Sequence, residues 1–200
     1  MRIGIDIDGV LTDIEKWQLD YGSKYYYEKY NKKIVNPKGY DTSEVFDVSI
    51  DMENKWWFYG IKEYMKEPAR KFAGEIIGKL KNEDNEIYII TARSRDLTYT
   101  DITTEEMQEE VRKWLKDNGI IYDKLIFSPE DKLEICLDNQ IDLMIEDKVA
   151  NINQISTKIP VICYNAGYNE QCKGENIIRC YSWYDIYDKC KQYIDTKKTL

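Results

Sequence analysis

Histidine is absent from all 200 residues. That removes Ser–His and Cys–His nucleophilic pairs, His-ligated zinc and any imidazole proton shuttle. The chemistry must rest on carboxylates, lysine, arginine, tyrosine, hydroxyls or thiols. Cysteine is scarce as well: five residues, at 136, 163, 172, 180 and 190, with no Cys-x-x-Cys pair. An odd count without paired spacing argues against a disulfide framework, so free thiols in a reducing cytoplasm are expected. No apolar run approaches the roughly 20 residues that cross a bilayer. Asp6 and Asp8 fall where a secretory signal peptide would be basic and then apolar, so none is expected. A basic surplus is missing too. The 29 Lys and Arg against 37 Asp and Glu leave a net charge of -8, which disfavours a nucleic acid polymer as partner. An acidic chain can still take up phosphate where a metal ion neutralises the site locally.

What is present is an ordinary globular composition. Hydrophobic residues make up 42%, which excludes intrinsic disorder, and the length suits one domain carrying a modest insertion. Short apolar runs at 3–7, 87–90, 124–127, 143–145, 160–163 and 177–180 alternate with helical patterns at 69–80, 105–115 and 149–155. Continuously apolar strands separated by helices predict a parallel α/β sheet covered on both faces. Asn118-Gly119 supplies a helix stop after the second of those helices. Residues 13–66 break the rhythm with Trp17, Tyr21, Tyr25-Tyr26-Tyr27 and Trp56-Trp57-Phe58-Tyr59. That stretch is far longer than the dozen or so residues a crossover needs. It reads as a small helical insertion with its own apolar cluster, and Pro68 marks the return to the core.

The first strand runs into Asp6-Ile7-Asp8-Gly9-Val10-Leu11-Thr12-Asp13. In an open parallel sheet, ligands bind beyond the carboxyl ends of the strands. Side-chain alternation sets Asp6 and Asp8 on one face, and two carboxylates that close need a cation or a shared proton. Gly9 allows a sharp turn there. Three further stations follow. Thr91 ends the strand 87–90, in Ile90-Thr91-Ala92-Arg93. Lys132 opens the helical segment after Phe127. Glu146-Asp147 ends the strand 143–145. Singly, each has an ordinary reading: a strand-end threonine, a surface lysine, an acidic helix cap. Together, in this order and each at a strand's carboxyl end, they form one constellation.

With these four stations the sequence resembles the haloacid dehalogenase-like (HAD) phosphohydrolases. The closest resemblance is to 5'(3')-deoxyribonucleotidase-like proteins, through 6–13, the Trp/Phe-rich insertion, Trp114-Leu115 and Tyr122-Asp123-Lys124. Glu146 departs from the aspartate usual there. The resemblance implies a Rossmann-like core, 1–13 and 68–200, with a helical cap, 14–67, inserted after the first strand. It implies that Asp6 attacks phosphorus to form an aspartyl-phosphate, and that Asp8 first protonates the leaving alcohol and then activates water. Thr91, Ala92 and Lys132 would bind the phosphoryl oxygens. Hard oxygen donors imply Mg²⁺, held by Asp6, the Asp8 carbonyl and Asp147, with Glu146 orienting Asp147 or a bound water.

Substrate choice is less specified. Trp56, Trp57 and Phe58 could stack a nucleobase or simply form the insertion's core. Arg93 and Arg95 could reach substrate phosphate or sugar, and 94–104 reads as a polar loop near the entrance. A Mg²⁺-dependent phosphatase of a small phosphorylated metabolite is expected, with a nucleoside monophosphate the leading substrate. A sugar phosphate and a non-catalytic phospho-ligand module are the alternatives, and a homodimer is left open.

Overall fold

The computed structural model describes residues 1–93, 101–128 and 132–198. Arg95 and residues 94–100 of the expected entrance loop lie outside the described residues, as do 129–131.

Six strands form one sheet in the order β3-β2-β1-β4-β5-β6, every pairing parallel. They are β1 (Arg2–Ile5), β2 (Glu86–Thr91), β3 (Lys124–Phe127), β4 (Leu143–Glu146), β5 (Val161–Tyr164) and β6 (Ile177–Cys180). Strand side chains alternate between faces, and both faces here are apolar. Ile87 and Ile89 of β2 join one core; Tyr88 and Ile90 join the other. Leu143 and Ile145 of β4 separate from Met144 in the same way. Burial on both sides is why these strands read as unbroken apolar runs.

The first core receives α5 (Ala73–Asn82), α6 (Thr104–Asp117) and α9 (Trp183–Lys198). Helix α6 buries Met107, Val111, Trp114 and Leu115, which recur at helical spacing. Its start is fixed by a capping box, with Thr103 accepting from the Glu106 N–H while Glu106 accepts from that of Thr103. Gly119, at φ 66°, follows its C-cap residue Asn118. The opposite face is covered by α7 (Leu133–Asp138) and α8 (Val149–Ile155), through Cys136, Ile152 and Ile155.

Most boundaries differ from the sequence expectation by a residue or two, and two of the differences bear on the site. Strand β1 ends at Ile5 rather than Ile7, because 7–12 fold into a turn in which Leu11 and Thr12 N–H both donate to the Ile7 carbonyl. Helix α5 begins at Ala73 rather than Ala69. Residues 69 and 70 instead anchor the return to the core: Ala69 N–H donates to Asn118 Oδ1, and Arg70 N–H to the Leu11 carbonyl.

Between β1 and α5 the chain is helical: α1 (Ile14–Trp17), a π-helical turn (Gln18–Gly22), α2 (Ser23–Tyr30), α3 (Thr42–Phe46) and α4 (Ile50–Tyr64). Trp17, Tyr26, Val45, Phe46, Trp56 and Tyr64 are buried together there, apart from the two sheet cores.

Candidate active site

The strand order reverses at β1, whose neighbours β2 and β4 lead away in opposite directions. Ligands bind at such a switch point, and the acidic residues converge there. Asp6 leaves β1, Glu146 closes β4 and Asp147 follows it. Carboxylate oxygens of Asp6, Glu146 and Asp147 all lie within 4.8 Å of one another, and the three residues are buried.

Lys132 is the cation between them. It precedes α7, is only 2% exposed, and places Nζ 2.8 Å from Asp6 Oδ1 and 2.9 Å from Glu146 Oε2. Burial works against its charge, but the two carboxylates outweigh it and hold the ammonium above its usual range. Both Glu146 oxygens are engaged. Oε2 also accepts from Asn151 Nδ2, and Oε1 from the N–H groups of Asp147 and Lys148. Burial alone would raise Glu146, yet Lys132 and these donors keep its pKa depressed. Its position therefore suits holding the site together rather than taking up a ligand.

Asp6 and Asp147 are less well compensated. Burial pushes Asp6 up to about 8, with Lys132 pulling it down and Glu146 and Asp8 adding to the rise. Asp147 is raised well above the carboxylate range by burial, then by Glu146 and Asp6. Tyr168 donates its hydroxyl to Asp147 Oδ2, while Asp147 Oδ1 is buried with no hydrogen-bond partner among the described residues. A buried carboxylate oxygen left open beside crowded acids is what a hard divalent cation would satisfy. The donor set fits Mg²⁺. Gly9 makes the approach possible: at φ 78°, a Cβ there would collide with the Asp147 carboxylate.

Asp8 sits on the other side of the same cavity, a cleft of about 220 Å³ also lined by Asp6, Ala92, Arg93, Lys132 and Asp147. Arg93 is largely buried and donates Nε and Nη2 to Asp8 Oδ1 at 2.9 and 2.7 Å. Burial would raise Asp8, but Arg93 and a Tyr64 hydrogen bond hold its pKa below the usual value. Arg93, considered from sequence for substrate contact, thus binds a carboxylate of the chain itself. Thr91 ends β2 fully buried, with Oγ1 accepting from Arg93 N–H, so it is not part of the cavity lining.

The three insertion aromatics separate. Trp56 is 2% exposed in the insertion's core, and Phe58 is 43% exposed against Tyr59. Trp57 lines the cavity, with Ile14, Ile61 and Met107 beside it. Tyr40, Tyr64, Tyr168 and Asn151 belong to the site, and sequence reasoning missed them. Nothing marks a tyrosine at a helix end or in a loop as aimed at an acid. Only Asn151, one helical turn after Asp147, carried a spacing signal.

A Rossmann-like parallel sheet with a lysine-bridged acidic cluster at its switch point defines a phosphohydrolase of the HAD superfamily. Residues 1–196 match the family described as 5' nucleotidase, deoxy (pyrimidine), cytosolic type C protein, and the chain belongs to that family. A nucleotidase of Clostridium acetobutylicum is 29% identical over 190 residues, covering 94% of this chain and 92% of that protein. The fold is shared with a HAD-superfamily hydrolase from Ehrlichia chaffeensis (TM-score 0.54, 16% identity, 96% and 97% of the two chains). It is also shared with a D,D-heptose 1,7-bisphosphate phosphatase from B. bronchiseptica (TM-score 0.52, 14% identity, 96% and 98%). The protein is a HAD-type phosphatase of the nucleotidase family. None of its described helices is long and apolar enough to cross a membrane.

Proposed function

We propose that the protein hydrolyses nucleoside monophosphates with Mg²⁺, through an aspartyl-phosphate on Asp6. The observation that carries the reading is the Asp6 carboxylate held 2.8 Å from Lys132 Nζ, within 4.8 Å of the other two acids. A carboxylate nucleophile beside a buried cation can approach a phosphate dianion that bare carboxylates would repel.

Asp6 attacks phosphorus in line with the leaving oxygen. The bond from phosphorus to that oxygen breaks, its electron pair stays on the oxygen, and Asp8 supplies the proton. Asp8, now a carboxylate, takes a proton from the water that attacks phosphorus, releasing phosphate and restoring Asp6. Lys132 and the backbone near Thr91 and Ala92 hold the phosphoryl oxygens. Asp6, the Asp8 carbonyl and Asp147 would hold Mg²⁺, with Glu146 fixing Asp147 and Lys132. The bound ion supplies charge neutralisation and fixes the phosphate relative to Asp6.

Residues 14–67 act as a cap over a core of 1–13 and 68–200. The apolar wall of Trp57, Ile14, Ile61 and Met107 offers a surface for a nucleobase. Five free, buried cysteines agree with a reducing cytoplasm. Stacking a base is worth roughly 1–3 kcal/mol. Trp57→Ala should therefore weaken nucleoside monophosphate turnover about ten- to a hundredfold in kcat/KM while leaving a small aryl phosphate nearly unaffected. Both activities should vanish in EDTA and return with Mg²⁺. Equal losses on the two substrates would move the reading to a sugar phosphate or another metabolite.

A further inference from the structure

We propose that Tyr64 is a positioning residue for Asp8, through which the last turn of α4 sets the orientation of the proton-transferring carboxyl. The inference rests on the assignment of Asp8 as general acid and base.

Tyr64 is 2% exposed, and its ring packs 4.8 Å from Trp17 and 5.8 Å from Trp57, inside the insertion's aromatic cluster. Its hydroxyl nevertheless leaves that cluster and donates to Asp8 Oδ1 at 2.6 Å. The same hydroxyl lies 2.7 Å from Thr12 Oγ1. A phenol has one proton, and Asp8 Oδ1, which already accepts from Arg93 Nε and Nη2, can only accept whether or not Oδ2 is protonated, so Thr12 donates to Tyr64 while Tyr64 donates to Asp8. Thr12 belongs to the turn after β1, so the contact ties the insertion to both Asp8 and the loop that carries it.

Arg93 completes the arrangement. Its guanidinium lies 5.0 Å from the Tyr64 ring centroid and directs Nε and Nη2 to the same Oδ1. Oδ1 therefore receives three short contacts, whereas Oδ2 receives one, from Arg93 Nε at 3.2 Å. Among the described residues, Oδ2 is the oxygen left to exchange a proton. In the first step that proton passes from Oδ2 to the leaving oxygen as the bond from phosphorus to that oxygen breaks. Removing the Tyr64 hydroxyl frees the carboxyl to rotate about the Arg93 contact, and the transfer geometry is lost.

Tyr64→Phe takes away one oxygen and keeps the ring. It should be compared on phenyl phosphate and p-nitrophenyl phosphate, which share a ring but differ in how much their leaving oxygen needs a proton. The readout is kcat/KM, because it ends at the first irreversible step and excludes hydrolysis of the intermediate. A positioned general acid contributes about 10²–10⁴, so kcat/KM should fall roughly tenfold or more on phenyl phosphate and less than about threefold on p-nitrophenyl phosphate. The ratio is taken within one preparation, so a partly unfolded fraction cancels. Equal losses on both esters, or none on either, would overturn the assignment. Asp8→Asn run alongside separates the causes. If it discriminates between the esters and Tyr64→Phe does not, the Tyr64 role is wrong and the Asp8 role stands. If Asp8→Asn does not discriminate, the general-acid reading fails and the Tyr64 role falls with it.

Discussion

At the scale of single residues, the site is a problem in charge placement. Asp6, Asp8 and Asp147 line one cavity with Glu146 beside them, and among the described residues the cations paired with these acids are Lys132 and Arg93. Removing a partner from a buried ion pair is strongly destabilising, because a carboxylate is left buried without compensation. Lys132→Ala should therefore cost about 3–5 kcal/mol in metal-free protein, measured by denaturant unfolding at neutral pH. Mg²⁺ should restore part of that loss by binding only the native state. A variant as stable as wild type without metal would show that Lys132 does not carry this role. The four motif stations were legible because each follows a strand in sequence. Arg93 and Tyr64 were not legible as partners of Asp8. They stand 85 and 56 positions from it, and residue type alone does not say which way either side chain turns.

At the scale of elements, sequence signals worked where an apolar run coincides with a paired segment and failed where neighbouring residues face different surroundings. Strands β3 and β6 occupy the expected residues, since their apolar runs coincide with the paired segments. The insertion was legible as helical and aromatic. Its interior was not: adjacent Trp56, Trp57 and Phe58 point to core, cavity and solvent, and only the packing of α4 decides which goes where. Another decisive detail lies at the start of β3. Asp123 accepts from Lys81 Nζ on Oδ1 and from Ile87 N–H on Oδ2, both at 2.6 Å, while its own N–H donates to the Ile87 carbonyl. Burial opposes the charge, but the Lys81 and Ile87 hydrogen bonds prevail and hold its pKa below the ordinary 3.8. A carboxyl depressed in the folded state binds its proton first in the unfolded chain. Its contribution is therefore complete above about pH 4 and lost as pH falls through the lower, folded value. Asp123→Asn should destabilise the protein by about 1 kcal/mol at pH 7. The difference from wild type should shrink below pH 4, as followed by thermal melts across pH. A difference that grows on acidification would contradict this role.

At the scale of the whole molecule, a helical segment interrupts the first crossover of a parallel sheet, and its residues meet the sheet's carboxyl ends at one cavity. The sheet supplies fixed backbone positions for Asp6, Thr91 and Glu146, while the insertion supplies Ile14, Tyr40, Trp57 and Tyr64. This division explains why the reaction class was legible from sequence and the substrate was not. The phosphohydrolase stations are tied to strand ends, whereas the rest of the cavity wall is made of side chains whose orientation depends on helix packing. The reading stands or falls on covalent chemistry at Asp6. Asp8→Asn lacks the base for the second step, and p-nitrophenyl phosphate scarcely needs the acid for the first, so this pairing should let the intermediate accumulate. The decisive measurement is peptide mass spectrometry of that variant, acid-quenched after mixing with p-nitrophenyl phosphate and Mg²⁺. A phosphoryl group on Asp6, released by hydroxylamine, is the expected result. Continued release of p-nitrophenol with no phosphoryl group on Asp6 would contradict the account.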